Sequence, residues 1–211
     1  MVLVKICGIT NWQDAKLAIA AGANALGFNF YSKSPRSISL SHAREIIRRL
    51  PRRVAAVGVF VNAREEDILR IARSANLSVL QLHGEEPPKM VARLGREFPV
   101  IKAFPVGPKF RVRELARYKA AAAFLLDGFA PRLHGGTGRS FDWGIVSMVK
   151  RFGPVVLAGG LRPQNVSDAI RRAAPFAIDV CSGVEARPGK KDPGKLKTLM
   201  TEVERVRREL Q

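Results

Sequence analysis

The chain is poor in the residues that mark several protein classes. Its 211 residues include 2 Cys, 3 His, 2 Trp and 2 Tyr, and aromatic residues make up 7%. Two cysteines, Cys7 and Cys181, cannot build a disulfide framework and do not form a CxxC pair. They point to a reducing, cytoplasmic compartment. The histidines His42, His83 and His134 are scattered without metal-ligand spacing, so no metal site is expected. No apolar run approaches the roughly 18 residues of a membrane span. The opening segment MVLVKICGIT has no charged region ahead of its short, broken apolar stretch, unlike a signal peptide. Acidic residues are scarce as well: 18 Asp+Glu face 36 Lys+Arg, a formal net charge of +18. Such a surplus invites a nucleic-acid reading. The basic residues, however, are spread along helix-like segments, as at Arg48-Arg49 and Arg171-Arg172, and are not interleaved with aromatics as a stacking surface requires. The expectation is a solvated basic surface, with no nucleic-acid partner and no membrane association.

What the chain does have is apolar residues, at 46% against 26% charged, enough to bury a sizeable core. Eight short apolar runs recur: Val2–Ile6, Ala25–Phe30, Ala55–Val61, Ser78–Leu82, Val100–Phe104, Ala123–Asp127, Val155–Ala158 and Ala177–Val180. They are apolar throughout rather than alternating, the pattern of strands buried on both faces of a parallel sheet. Helix signals lie between them. Thr10 with Gln13 and Asn62 with Glu65 have capping-box spacing. Pro87 or Pro88, Pro163 and Pro193 suit first helical positions, and Asp142 and Asp192 suit N-caps. Gly22 suits a helix end, and a last helix is predicted over Pro193–Glu209. The units repeat about every 25 residues without a compositional break, which predicts one α/β domain over residues 1–211, a (β/α)8 TIM barrel. An open doubly wound sheet is the structural alternative.

In such a barrel, chemistry collects at the C-terminal ends of the strands. Gly159-Gly160 and Ser182-Gly183 follow the last two strands, where backbone N–H groups can cradle a phosphate. Cys7 ends the first strand and Asp127 the sixth, so a thiol and a carboxyl face the same mouth. They can serve as a base and acid pair if the thiol's pKa is lowered and the carboxyl's raised; Cys7 as a small buried hydrophobe is the alternative. Arg36, in a polar loop, can grip a carboxylate or simply be solvated. Asn62, Gln81 and His83 can line the site, with Asn62 also a helix cap and His83 also a hydrogen-bonded loop residue.

Several motifs occur in order: Lys5-Ile6-Cys7-Gly8-Ile9-Thr10, Gly27-Phe28-Asn29-Phe30 leading to Ser34-Pro35-Arg36, Gln81-Leu82-His83-Gly84, Leu126-Asp127, Gly135-Gly136-Thr137-Gly138, Leu157-Ala158-Gly159-Gly160 and Asp179 leading to Ser182-Gly183-Val184-Glu185. Together they resemble the phosphoribosylanthranilate isomerase family of tryptophan biosynthesis. The resemblance implies a general acid/base Amadori rearrangement of N-(5-phosphoribosyl)anthranilate to 1-(2-carboxyphenylamino)-1-deoxyribulose 5-phosphate. It implies Cys7 as base, Asp127 as acid, Arg36 on the substrate carboxylate, and Gly159, Gly160, Ser182 and Gly183 at the phosphate. It further implies a cover loop at Gly135–Gly138, a small phosphorylated substrate, no cofactor and no metal. The sequence leaves monomer and homodimer open. A broader isomerase that also takes a histidine-pathway aminoaldose would use another acid/base pair, commonly two Asp residues. A basic nucleic-acid-binding protein and an inactive barrel are the remaining alternatives. Position 181 departs from the family's usual Ser. Because strands 1 and 8 adjoin in a closed barrel, Cys7 and Cys181 are expected near each other and open to oxidative cross-linking.

Overall fold

Eight parallel strands close on themselves in chain order: β1 (Leu3–Cys7), β2 (Ala25–Asn29), β3 (Ala55–Phe60), β4 (Val79–Leu82), β5 (Val100–Val106), β6 (Ala123–Gly128), β7 (Val155–Leu157) and β8 (Ala177–Val180). The computed structural model describes residues 1–128 and 142–210. Closure is made by β1 against β8, with Lys5 in register with Asp179. The helices are α1 (Trp12–Ala21), α2 (Leu40–Ile47), α3 (Glu65–Ala75), α4 (Pro88–Leu94), α5 (Ile145–Val149), α6 (Val166–Ala173) and α7 (Pro193–Glu209). Between β5 and β6 the connection forms a 3₁₀ turn, Val112–Arg117, in place of an α-helix. Gly107 and Pro108 open that connection, and proline supplies no N–H for helix bonding.

The pleat sorts each strand's side chains into two buried sets. Val4, Ile6, Leu26 and Phe28 face the helix layer and join the main core. The barrel interior is lined by a separate, smaller-grained cluster: Ala103, Ala123, Leu125, Val156, Ala158 and Ala177. Burial on both sides is why the runs read as continuously apolar. The small interior residues leave room for the charged side chains of Lys5 and Asp179, both buried.

The structure moves several expected caps. Helix α1 is capped by Asn11, not Thr10: Asn11 Oδ1 accepts from the Asp14 N–H at 2.9 Å. Asn62 does not cap α3; it adopts φ +51° and its Oδ1 accepts from the Glu85 N–H. Arg64 stands at the α3 N-cap with no side-chain bond, and α3 opens instead with Glu65, Glu66 and Asp67, which suit the helix dipole. Pro163 lies ahead of α6, which starts at Val166. Pro88, Pro193, Asp192 and Gly22 act as the sequence predicts, Gly22 with φ +105°. Asp142 is not the α5 N-cap: Gly144 holds that position, and Asp142 Oδ1 accepts from its N–H. After β8, a two-stranded hairpin of β9 (Glu185–Arg187) and β10 (Lys190–Lys191) precedes α7.

Candidate active site

A cavity at the C-terminal ends of the strands is lined by Cys7, Arg36, His83, Asp127, Gly159 and Ser182, among others. Strands β1 and β6, which do not touch, thus deliver the thiol and the carboxyl to one space. Asp127 is buried, and its Oδ1 has no hydrogen-bond partner among the described residues. Its Oδ2 lies 3.4 Å from His83 Nε2, and His83 Nδ1 lies 2.9 Å from Gln81 Nε2. A Gln81 N–H directed at Nδ1 leaves the ring proton on Nε2, facing Asp127. His83 is therefore both hydrogen-bonded and part of the site.

Cys7 sits among cations. The hydrogen bond from the Cys181 thiol is the largest influence on it; with Lys5 and Lys191 nearby, it holds the Cys7 thiol well below its ordinary pKa in spite of burial. The same bond, together with burial, pushes the Cys181 thiol well above its own. Lys191 Nζ donates to the carbonyls of Cys7, at 2.5 Å, and Cys181, at 3.2 Å, and to Glu185 Oε1 at 3.1 Å. Below the thiol, Lys5 Nζ is 2.9 Å from Asp179 Oδ1. Burial pushes the Asp179 carboxyl up to about 6 against the pull of Lys5.

Arg36 is not a freely solvated side chain. Its Nε and Nη2 fork onto Glu185 at 2.7–3.1 Å, and its side chain is only 15% exposed. Burial raises the Glu185 pKa, but Arg36 and Lys191 outweigh it and keep the carboxylate below its usual range. The Nη1 end of Arg36 is not used by Glu185. Planar forks of this kind suit a second carboxylate.

Gly159 and Gly160 have φ +82° and +67°, a turn that L side chains rarely adopt. A Cβ on Gly159 would also lie 2.3 Å from the Gly128 backbone nitrogen and 2.9 Å from Asp127 Oδ1. Gly160 and Ser182 offer N–H groups for which no backbone acceptor occurs among the described residues. Gly183 differs: it packs under the turn, where a Cβ would meet the Leu161 carbonyl at 1.9 Å, and it does not line the cavity. The expected cover loop Gly135–Gly138 lies outside the described residues.

Four charged residues at the site carried no role in the sequence reading: Lys5, Asp179, Glu185 and Lys191. Lys5 and Asp179 had a visible signal, a charge inside an otherwise apolar strand run. Glu185 stood in a quoted motif without a role, and Lys191 had no signal, since its other contacts are to the main-chain carbonyls of Cys7 and Cys181.

The comparisons with known proteins agree with this geometry. The sequence model of N-(5'-phosphoribosyl)anthranilate (PRA) isomerase matches residues 4–202. The chain is 48% identical over 206 residues to N-(5'-phosphoribosyl)anthranilate isomerase of Citrifermentans bemidjiense, covering 98% of each. It superposes on the phosphoribosyl anthranilate isomerase of Thermotoga maritima with a TM-score of 0.90 at 44% identity, over 97% of this chain and 99% of that one. A phosphoribosyl anthranilate isomerase structure in complex with reduced 1-(o-carboxyphenylamino)-1-deoxyribulose 5-phosphate matches with a TM-score of 0.87 at 42% identity, over 97% and 99% of the two chains. A barrel of this order, with these motifs on these strand ends and full-length relatives at such identity, belongs to the phosphoribosylanthranilate isomerase family.

Proposed function

We propose that Cys7 and Asp127 divide between them the proton transfers of the family's reaction. The chain is an isomerase of tryptophan biosynthesis, rearranging N-(5'-phosphoribosyl)anthranilate to 1-(2-carboxyphenylamino)-1-deoxyribulose 5-phosphate. The observation that carries the assignment is the bare Asp127 Oδ1, buried and without a partner among the described residues, on a residue that lines the same cavity as Cys7. Leaving a buried polar atom unpaired costs about 1–3 kcal/mol, so it calls for a reason.

In this reading Asp127 gives its proton to the furanose ring oxygen. The C1–O bond breaks with its electron pair on oxygen, and the anthranilate nitrogen closes a Schiff base at C1. Cys7, as thiolate, removes the proton from C2. The electrons pass into the Schiff base to give an enolamine, which tautomerises to the ketone. The contact from His83 at Oδ2 fixes the carboxyl so that Oδ1 meets the substrate. Arg36, braced by Glu185, holds the substrate carboxylate, while the N–H groups of the Gly159-Gly160 turn and of Ser182 hold the phosphate. Gly183 serves by letting its chain pack against Leu161. Gripping both ends of the substrate sets C2 against the thiol, and such positioning can remove several kcal/mol of barrier.

The test is the loss of substrate fluorescence, with phosphoribosylanthranilate generated in situ. The wild-type chain turns over, and Cys7→Ala and Asp127→Asn each lower kcat by about 10²–10⁴-fold with the fold intact by circular dichroism. A folded variant with near wild-type kcat removes the role from that residue. A folded wild-type protein without activity overturns the reaction itself.

A further inference from the structure

Lys5 is a buried charge that none of these proton transfers requires. It lies in the middle of β1, and its ammonium nitrogen is 2.9 Å from Asp179 Oδ1, its register partner on β8. Around it the barrel interior is built of Ala and small aliphatic side chains. An ion pair in such surroundings is costly to desolvate and is poor evidence for a stabilising role by itself. The ammonium group has three N–H donors but only one oxygen acceptor among the described residues, Asp179 Oδ1. Cys7 stands two residues further along β1, on the same face of the strand. Gly27, the register partner of Cys7 on β2, makes a close approach of the two possible. A Cβ there would lie 2.7 Å from Cys7 Sγ and 3.0 Å from Lys5 Nζ, so a side chain at this position would wedge between thiol and ammonium.

We propose that Lys5 is a positioning residue for Cys7: its ammonium group, anchored on Asp179, supplies from inside the barrel the positive charge that stabilises the Cys7 thiolate. The proposal rests on the reading of Cys7 as the base. The other groups around the thiol do not replace Lys5. Lys191, from the β9–β10 hairpin, is committed to two carbonyls and to Glu185. Arg36, from the loop after β2, is forked onto the same Glu185. The Cys181 thiol is a neutral donor. Asp179 and Asp127 are the acidic groups of the neighbourhood and oppose a thiolate when ionised. Lys191 has given all three of its N–H groups, and the Nη1 end of Arg36 that Glu185 leaves is the one assigned to the substrate carboxylate, whereas Lys5 keeps N–H groups to give to sulfur.

The experiment is the pH dependence of Cys7 alkylation by iodoacetamide, read by mass spectrometry of the Cys7 peptide. It reports thiolate without substrate or turnover. Lys5→Met moves the midpoint of the profile up by at least one pH unit, a tenfold fall in rate on its acid limb. Because that variant leaves Asp179 buried and unpaired, Lys5→Met with Asp179→Asn is measured beside it and shows the same upward shift. Asp179→Asn alone, which is isosteric, moves the profile down, since Lys5 then has only the thiolate to neutralise. In each variant the acid limb of the kcat profile follows the alkylation profile. Opposite shifts for the two single substitutions are what a purely packing role for the pair does not produce. The proposal is overturned if the folded double variant alkylates along the wild-type profile, or if Asp179→Asn shifts upward as Lys5→Met does. An active Cys7→Ala protein, with the alkylation shifts as expected, removes the base role and leaves the pairing of Lys5 with Cys7 standing.

Discussion

Cys7 owes its character to its neighbours. An ordinary thiol, with a pKa near 8.5, is only a few per cent thiolate at neutral pH and makes a weak base. Here the Cys181 thiol, with Lys5 and Lys191, holds it well below its ordinary pKa. The first of these is itself a cysteine, which gives the site a weakness. Lys5 pairs with Asp179 and Ile6 with Val180; carrying that register one residue further sets Cys7 opposite Cys181. Neighbouring strands at that separation are within reach of a disulfide. We expect hydrogen peroxide to oxidise the Cys7 thiolate to a sulfenic acid, with hydroxide leaving the peroxide. The Cys181 sulfur then displaces water from it to form the disulfide. Activity is lost, a Cys7–Cys181 linked peptide appears, and dithiothreitol restores turnover. Cys181→Ser forms no linked peptide, and with no partner sulfur to trap the sulfenic acid, continued peroxide carries Cys7 on to sulfinic acid, which dithiothreitol does not reverse. Equal recovery of the two proteins with dithiothreitol, with no linked peptide in the wild type, would sink this expectation.

Among the elements, the β9–β10 hairpin does the least obvious service. It carries Glu185 at one end and Lys191 at the other, and so holds both Arg36 and the carbonyls of Cys7 and Cys181. The hairpin is tied down by Asp14 of α1, which accepts from Lys190 Nζ at 2.7 Å and from the Lys191 N–H at 2.8 Å. Burial raises the Asp14 pKa, but the bonds from Lys190, Lys191 and Asn11 outweigh it and leave it lowered. A carboxylate whose folded pKa is depressed stabilises fully above its unfolded pKa of about 3.9, and the benefit is lost as pH falls through the folded value. Asp14→Asn therefore costs about 1–3 kcal/mol at pH 7, and the gap in Tm to wild type narrows below about pH 4. A gap that stays constant from pH 7 to pH 3 would show that the charge of Asp14 is not involved. The eight strands were legible because both faces of each are buried, so the sequence spells them as unbroken apolar runs. Gly159-Gly160 and Cys7 were legible from their place at strand ends. The Asn11 cap was missed by one residue, since Thr10 and Asn11 are both capping types and spacing alone does not choose between them. The hairpin was not legible at all. Its two strands are three and two residues long, and it bonds to α1 across 177 positions of sequence.

Over the whole molecule, the charge of +18 has to be reconciled with a small anionic substrate. Part of the basic surface is engaged in ion pairs between neighbouring helices. Arg93 of α4 meets Glu65 of α3, Arg73 of α3 meets Glu97 beyond α4, and Arg171 of α6 meets Glu209 of α7. Exposed pairs of this kind add little to stability. They knit the helix ring without using up the surplus, because cations outnumber acids two to one, at 36 against 18. The remainder makes a positive field around a molecule whose substrate brings a phosphate and a carboxylate. Such a field raises the encounter rate of an anion and fades as salt shortens the Debye length to about 10 Å at 0.1 M and 3 Å at 1 M. Beneath and beside the cavity the charges of Lys5, Lys191 and Arg36 are largely buried against their own carboxylates and are screened far less. The two effects separate in steady-state kinetics. Raising sodium chloride from 20 mM to 0.5 M lowers kcat/KM several-fold, through KM, and leaves kcat nearly unchanged. A fall in kcat equal to the fall in kcat/KM would mean that salt reaches the proton transfers themselves, and the surface field would then have no part in substrate capture.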